Sequence, residues 1–258
     1  MQVIAVQHDV AWEDKLANHA RVKQLLAGVA IEPGALVVLP EMFATGFSMD
    51  VERIADGPDG PTYPFLAQTA RELKVFVVAG VVARGADGRG RNEAVVFGPD
   101  GREDARYCKL HPFSFSGEAK HYAAGSEIVV FECGGFRVAP FVCYDLRFPE
   151  IFRRATRRGA QLFVVIAEWP QERDAHWQAL AKARAIENQA YVVAVNRTGR
   201  DPKLGYIGHS QIIDPRGEIL AAAGEREEVI QADLTLEPLL EYRRRFPALE
   251  DMRGEYFL

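Results

Sequence analysis

The sequence FRVAPFVCYDLRFPE, residues 136–150, changes from an apolar run to a polar turn within a few residues. The apolar half is typical of a buried β-strand, and Pro149 can begin a helix because its φ angle already suits the first helical turn. A single cysteine, Cys143, lies where the predicted strand ends. The stretch therefore predicts a strand–turn–helix unit with a thiol at the turn.

Apolar runs of this kind recur along the chain and alternate with helical patterns. Runs rich in Val and Ile predict strands, and several are apolar throughout, as expected for strands covered on both faces. They are QVIAVQ (2–7), ALVVLP (35–40), VFVVAGVVA (75–83), EAVVFG (93–98), RVAPFVC (137–143), AQLFVVIAEW (160–169) and AYVVAVN (190–196). Helices are predicted over Lys15 to Leu26, Thr62 to Leu73, Pro149 to Arg158 and Asp174 to Gln189.

Turn sequences connect several of these elements. GPDG (98–101) and DPRG (214–217) predict hairpins, and a second GPDG (57–60) predicts another turn. The sequence contains no internal repeat or linker, so we expect one α/β domain over residues 1–258, with mixed sheets and external helices.

The composition argues against several classes of partner. With 258 residues, 48% of them hydrophobic, the chain can bury a sizeable core, and its net charge of -5 makes nucleic-acid or membrane-surface binding unexpected. The basic runs at 153–158 and 243–245 are interpreted as solvated helix faces. Three cysteines do not suggest a disulfide framework, and no signal peptide or run of 18 apolar residues is visible. We therefore expect a cytoplasmic protein.

Polar residues follow three predicted strands at the ends where open α/β sheets bind ligands. Glu41 ends ALVVLPE, Lys109 ends REDARYCK and Cys143 ends RVAPFVC. Each has an ordinary explanation: a first-turn charge, a surface lysine, or a small buried hydrophobe. An acid, a base and a thiol at equivalent strand ends together predict a nucleophilic site.

Cys143 is the best candidate nucleophile of the three cysteines. Cys108 adjoins Lys109, and adjacent strand residues face opposite ways, while Cys133 lies in a predicted hairpin with no helix behind it. We expect the dipole of the following helix and a nearby ammonium to favour the Cys143 thiolate. The backbone N–H of Tyr144 is then a candidate oxyanion donor.

Three segments resemble the catalytic segments of the nitrilase superfamily of carbon–nitrogen hydrolases. They occur in that family's order of Glu, Lys and Cys: LPEMFATGF (39–47), YCKLHPFSFSGEAKHY (107–122) and FVCYDLRFPE (141–150). The resemblance continues through EWPQERDAHWQALAKARAIENQAYVVAVNRTG (168–199), GHSQIIDPRGEIL (208–220) and EYRRRFPAL (241–249), so it covers nearly the whole chain.

The resemblance implies a fold and a set of roles. The fold is a four-layer α-β-β-α sandwich, usually paired into homodimers, and the chemistry needs no metal or cofactor. Cys143 would be the nucleophile, Glu41 the general base and acid, and Lys109 the stabiliser of the tetrahedral intermediate. Glu118 matches a second glutamate that assists these three.

Within the superfamily the chain most resembles the omega-amidase branch, whose members release ammonia from the side-chain amide of short 2-oxo acids such as 2-oxoglutaramate. The sequence departs from some members in HPFSFSGE (111–118) and at Glu168, where Asn precedes WP in many relatives. Both places are candidate substrate contacts.

A small amide substrate with a distal carboxylate requires a cation and an apolar wall. Arg147 lies one helical turn beyond Cys143, and its planar fork suits a carboxylate, although a structural salt bridge with Glu150 or another acid is an equal alternative. Aromatic residues that could form the wall, or belong to the core, are Phe43, Phe113 and Trp169. The predicted substrates are 2-oxoglutaramate and 2-oxosuccinamate.

The sequence is also compatible with other functions. Within the superfamily they are hydrolysis of nitriles or of N-carbamoyl amino acids. Outside it they are a Cys–His hydrolase with His111 or His209 as base, and a non-catalytic binding protein on the same fold.

Overall fold

The chain folds into four layers, two β-sheets packed face to face with helices on their outer sides. The computed structural model describes residues 1–57 and 60–256. One sheet contains β1 (Gln2–Gln7), β2 (Leu36–Val38), β3 (Phe76–Arg84), β4 (Gly90–Phe97), β5 (Glu103–Cys108) and β14 (Glu228–Asp233). The other contains β6 (Phe131–Cys133), β7 (Phe136–Val142), β8 (Leu162–Ala167), β9 (Tyr191–Asn196), β12 (Gln211–Ile213) and β13 (Ile219–Ala222). The predicted four-layer sandwich is confirmed.

The helices cover the sheets in pairs. The first sheet is covered by α1 (Lys15–Ala27) and α3 (Thr62–Leu73), and the second by α5 (Pro149–Arg157) and α6 (Asp174–Asn188). The predicted bounds of these four helices are right to within one residue at each end. The remaining helices are α2 (Val51–Ile54), α4 (Glu118–His121) and α7 (Leu236–Arg245), and 3₁₀ turns occupy Ser114–Ser116, Cys143–Arg147, Gln171–Arg173 and Gly254–Tyr256. None of the helices described is long and apolar enough to cross a bilayer.

Both sheets are mixed and share one plan. Their strand orders are β14-β1-β2-β3-β4-β5 and β13-β12-β9-β8-β7-β6, each with a parallel centre and antiparallel flanks. The hairpins predicted at 98–101 and 214–217 join β4 to β5 and β12 to β13. The turn predicted at 57–60 lies partly outside the described residues. β10 (Thr198–Arg200) and β11 (Gly205–Ile207) form a separate ribbon.

Side chains alternate between the two faces of each strand, so the first sheet contributes to two separate hydrophobic cores. In β1, Val3 and Ala5 face the second sheet, while Ile4 and Val6 pack toward α1 and α3. This follows from the two-residue period of a strand, which sends successive side chains to opposite faces. The central strands are consequently buried on both sides, as their continuous apolar sequences predict.

The basic run at 243–245 is only partly a solvated face. Arg244 and Arg245 are exposed, as predicted. The prediction is wrong for Arg243, whose guanidinium donates to the carbonyl oxygens of Gln189 and Ala160. This arginine therefore attaches α7 to the loops that flank β8 and β9.

The chain after β2 passes very close to the middle of β3. Gly80 N–H donates to the Pro40 carbonyl oxygen at 3.0 Å, and the Gly80 carbonyl oxygen accepts from Phe43 N–H at 3.2 Å. A Cβ at Gly80 would lie 2.4 Å from Glu41 Cα and 2.5 Å from the Met42 nitrogen. The glycine therefore lets the segment that carries Glu41 lie against the sheet.

Replacing Gly80 with alanine is expected to destabilise the fold. Because the clashing atoms are backbone atoms, Gly80→Ala should lower the free energy of unfolding by about 1–3 kcal/mol, the usual cost of overpacking. Gly28→Ala is the control, since its Cβ would make an ordinary 3.5 Å contact with the Leu25 carbonyl oxygen. Denaturant unfolding of both variants measures the difference, and equal stabilities would contradict the close-approach argument.

Candidate active site

Cys143 is the first residue of the 3₁₀ turn between β7 and α5, and its backbone is strained. Its φ angle is +47°, in the left-handed region that non-glycine residues seldom adopt. The predicted strand–turn–helix unit is thus present, with the thiol at a sharp turn. The 3₁₀ turn occupies Cys143–Arg147, and α5 begins at Pro149, as predicted. The effect of the α5 dipole on the thiol stays a prediction.

Asp145 holds this turn in place. Its Oδ2 accepts from the Tyr107 hydroxyl at 2.7 Å and from Val142 N–H at 3.2 Å. Its Oδ1 accepts from His111 N–H at 3.0 Å and lies 2.8 Å from His111 Nδ1. Because Tyr107 and His111 flank Lys109, the buried carboxylate connects the cysteine turn to the lysine segment.

A buried cluster of charges lies at the carboxyl ends of β2 and β5. Lys109 Nζ donates to Glu41 Oε1 at 2.9 Å and to the two oxygens of Glu118 at 3.1 and 2.9 Å. All three side chains are buried. The ordinary explanation of Lys109 as a surface lysine is therefore wrong, and Glu41 and Glu118 are both buried beside it.

Asn92 of β4 is a member of this cluster that the sequence analysis missed. Its side-chain amide donates to Glu41 Oε1 at 2.6 Å and to Glu118 Oε1 at 2.9 Å. The only signal in the sequence was an asparagine close to the strongly apolar run that begins at Glu93. Asn92 fixes the spacing of the two glutamates.

Glu41 is held at both of its oxygens. Glu41 Oε2 accepts from the Glu168 backbone N–H at 2.8 Å, across the interface between the two sheets. Met42, the next residue, has a φ angle of +43°, so the chain turns sharply just after the glutamate. The carboxylate is therefore preorganised rather than free to rotate.

The charges determine the protonation of Lys109 and Cys143. Burial alone would lower the pKa of Lys109, but the negative charges of Glu118 and Glu41 outweigh it and hold the pKa well above its usual range. Burial raises the pKa of the Cys143 thiol well above its usual range, and Glu41 raises it further, while Lys109 opposes them. The resting group is therefore a thiol and not the expected thiolate, and its Sγ lies 3.9 Å from the Glu168 carbonyl oxygen.

A pocket with about 390 Å³ of empty space, part of it open solvent, leads to Cys143 and Lys109. Four residues predicted to contact substrate line it: Phe113, Tyr144, Arg147 and Trp169. Phe43 does not, because it is fully buried in the core beside His19 and Phe65. Lining residues that the sequence analysis missed are Phe47, Pro170, Arg173, Leu204 and Tyr206.

Arg147 is not paired with Glu150, so the structural salt bridge is not formed in the described part of the chain. Its guanidinium lies 4.7 Å from the Trp169 ring centroid and 5.9 Å from that of Tyr144. Its Nη2 is 3.2 Å from His176 Nδ1. The aromatic contacts position the cation at the pocket without neutralising it.

Glu168, the departure from many relatives, lines the same pocket but has a buried side chain. Its Oε2 accepts from Phe47 N–H at 3.2 Å and from Arg197 Nη1 at 3.3 Å, while its Oε1 has no hydrogen-bond partner. Burial raises the pKa of Glu168 to about 8, although Arg197 opposes the shift. Glu168 is therefore an acid of the site that titrates near neutral pH.

The two histidines considered as alternative bases have other partners. His111 pairs with Asp145 and stacks on Phe148 with ring centroids 3.8 Å apart. His209 Nδ1 lies 2.8 Å from Asp174 Oδ1. Neither is among the described residues that line the pocket. The geometry therefore gives no support to a Cys–His site.

Comparison with known proteins places the chain in a family. The sequence model of the family described as carbon-nitrogen hydrolase matches residues 2–244. A 2-oxoglutaramate amidase from Paenarthrobacter nicotinovorans is 41% identical over 94% of this chain and 85% of its own length. One from Bacillus subtilis (strain 168) is 37% identical over 86% of each chain.

A solved structure agrees with the sequence match. A CN-hydrolase superfamily protein from Xanthomonas campestris, with an arsenic adduct in its active site, superposes with a TM-score of 0.93 at 35% identity. The match covers 98% of this chain and 97% of that one. The chain thus belongs to the carbon–nitrogen hydrolase family, as the resemblance predicted, and it is a hydrolase.

Removing the buried cation should destabilise the protein strongly. Lys109→Met leaves Glu41 and Glu118 without their shared positive charge, and a buried charge that loses its partner typically costs about 3–5 kcal/mol. Lys120→Met, at an exposed position of α4, is the matched control. Denaturant unfolding at neutral pH should separate the two variants by several kcal/mol. Equal stability would mean that the buried cluster does not hold the fold together.

Proposed function

We propose that the protein is an omega-amidase that hydrolyses the terminal amide of a short 2-oxo acid, such as 2-oxoglutaramate or 2-oxosuccinamate, and releases ammonia. The main supporting observation is that Lys109, bound to Glu41 and Glu118, shares one pocket with Cys143. Relatives of 37–41% identity that are named 2-oxoglutaramate amidases support the substrate.

The first half-reaction forms a thioester. The Cys143 sulfur attacks the amide carbon while its proton passes to Glu41, which is required because the resting group is a thiol. The oxyanion that forms is stabilised by the Lys109 ammonium and by Tyr144 N–H. Glu41 then returns the proton to the amide nitrogen, the carbon–nitrogen bond breaks, and ammonia leaves.

The second half-reaction restores the enzyme. A water molecule gives a proton to Glu41 and attacks the thioester carbon, and the same two donors stabilise the second oxyanion. The carbon–sulfur bond then breaks, the sulfur takes the proton back from Glu41, and the carboxylic acid departs. Glu118 and Asn92 act through position, since they hold Lys109 and Glu41 in fixed geometry.

The pocket walls fit a short anionic substrate. Phe113 and Trp169 provide apolar surfaces along the pocket, and Arg147 supplies an unneutralised guanidinium. A planar guanidinium can bind both oxygens of a carboxylate. We therefore assign the distal carboxylate of the substrate to Arg147.

The same proposal includes the setting in which the enzyme works. We expect a single domain over residues 1–258 that is active as a homodimer, on the resemblance to the superfamily. The cytoplasmic location is expected from the sparse cysteines. Sedimentation equilibrium of the purified chain measures the assembly.

Cys143 should carry the covalent intermediate. Cys143→Ala is expected to abolish turnover, whereas Cys108→Ala and Cys133→Ala should retain most of it. Cys143 lines the pocket, whereas Cys108 and Cys133 are not among its described lining residues. Mass spectrometry of enzyme quenched during turnover should locate the acyl group on the peptide that contains Cys143. An acyl group on Cys108 would overturn the assignment.

Substrate preference should follow the charge of the pocket. Ammonia release is expected to be fastest with 2-oxoglutaramate or 2-oxosuccinamate and much slower with glutamine, neutral aliphatic amides, nitriles and N-carbamoyl amino acids. Arg147→Lys loses the bidentate contact and should raise KM with little change in kcat. Arg154→Lys, on the exposed face of α5, is the control. Neutral amides hydrolysed as fast as the 2-oxo acids would refute the omega-amidase assignment.

A further inference from the structure

A second arginine, Arg173, lines the pocket together with Arg147. Arg147 comes from the turn after β7, and Arg173 ends the 3₁₀ turn before α6, so the two approach the pocket from separate segments. The Arg173 guanidinium lies 5.5 Å from the Phe113 ring centroid. Burial lowers the pKa of Arg147, and the positive charge of Arg173 lowers it further, so the two cations affect each other.

Neither guanidinium has a carboxylate partner in the part of the chain that the structure describes. Two buried arginines elsewhere in the described chain are paired with carboxylates, Arg184 with Glu187 and Arg197 with Asp9 and Glu168. Arg147 and Arg173 instead contact aromatic rings. Two positive charges held close together repel each other when no anion lies between them. A bound anionic ligand would replace this repulsion with attraction.

The acidic groups near the pocket do not neutralise this pair. Glu41 and Glu118 are bound to Lys109, and Glu168 is bound to Arg197. Asp174, next to Arg173 in the chain, has its carboxylate on His209 and Gln178. None of these carboxylates is paired with Arg147 or Arg173.

We propose that Arg173 is a specificity residue that acts with Arg147 as a double-guanidinium site, selecting 2-oxo acid amides over the corresponding 2-amino acid amides. This inference rests on the proposed function. A 2-oxo acid offers the two carboxylate oxygens and the adjacent ketone oxygen, three acceptors for two guanidinium forks. In glutamine or asparagine an ammonium replaces the ketone oxygen. It accepts no hydrogen bond and is repelled by both arginines.

Equilibrium binding tests the site without turnover. Isothermal titration of the unmodified enzyme should show that 2-oxoglutarate binds at least about tenfold more tightly than L-glutamate. Arg173→Gln should weaken 2-oxoglutarate binding by about 10- to 100-fold, the usual range for a charge-assisted contact, and should reduce the preference over L-glutamate. Arg173→Lys should still prefer 2-oxoglutarate to L-glutamate, because it keeps the positive charge, but should bind 2-oxoglutarate less tightly than the wild type. Arg154→Gln is the control for a general loss of positive charge.

Kinetics provide a second measurement with a different readout. For Arg173→Gln, the ratio of kcat/KM for 2-oxoglutaramate to that for glutamine should fall by at least about tenfold, through KM rather than kcat. A melting temperature equal to that of the wild type would show that the lower selectivity of Arg173→Gln does not result from misfolding. If Arg173→Gln binds 2-oxoglutarate as tightly as the wild type, or keeps the full selectivity for 2-oxoglutaramate over glutamine, the proposal of a double-guanidinium site is wrong. If the wild type hydrolyses neutral amides equally well, the proposed function fails, while the titration still decides the role of Arg173.

Discussion

The ion cluster of Lys109 with Glu41 and Glu118 constrains the rest of the structure. Two carboxylates and an ammonium are buried together, and such a group is tolerated only when every charge is paired and hydrogen-bonded. Asn92 and the Glu168 backbone N–H supply further hydrogen bonds to the glutamates. The segments that follow β2 and β5, together with α4, must therefore meet at one point for the chain to fold without an uncompensated charge.

The thiol reaches this cluster from the opposite sheet. Glu41 and Lys109 follow strands of one sheet, while Cys143 and Glu168 follow β7 and β8 of the other. The site is complete only when the two sheets pack face to face, so the apolar core between them also sets the catalytic geometry. The strained backbone of Cys143 is held by the Asp145 network, which the packed fold stabilises.

Charge is distributed unevenly along the pocket. At its base the cation is neutralised by two glutamates, which suits it to a transient oxyanion. At its mouth two guanidiniums lie on aromatic rings without acidic partners among the described residues. The resting thiol is protonated because of burial and the nearby Glu41, so the nucleophile forms only as its proton leaves. This limits the reactivity of the thiol when no substrate is bound.

The central strands, the four covering helices and their order can be read from the sequence, because two-residue and 3.6-residue apolar periods are local properties. It also located Glu41, Lys109 and Cys143 at strand ends, since a polar residue that closes an apolar run is visible in one dimension. Which side chains meet depends on how the chain packs in three dimensions. Packing puts Phe43 in the core, Asn92 in the ion cluster, and Arg173 in the same pocket as Arg147. These outcomes depend on the packing of two sheets whose contacting residues are far apart in the chain. Burial and the neighbouring charges together set the protonation of Cys143 and Glu168.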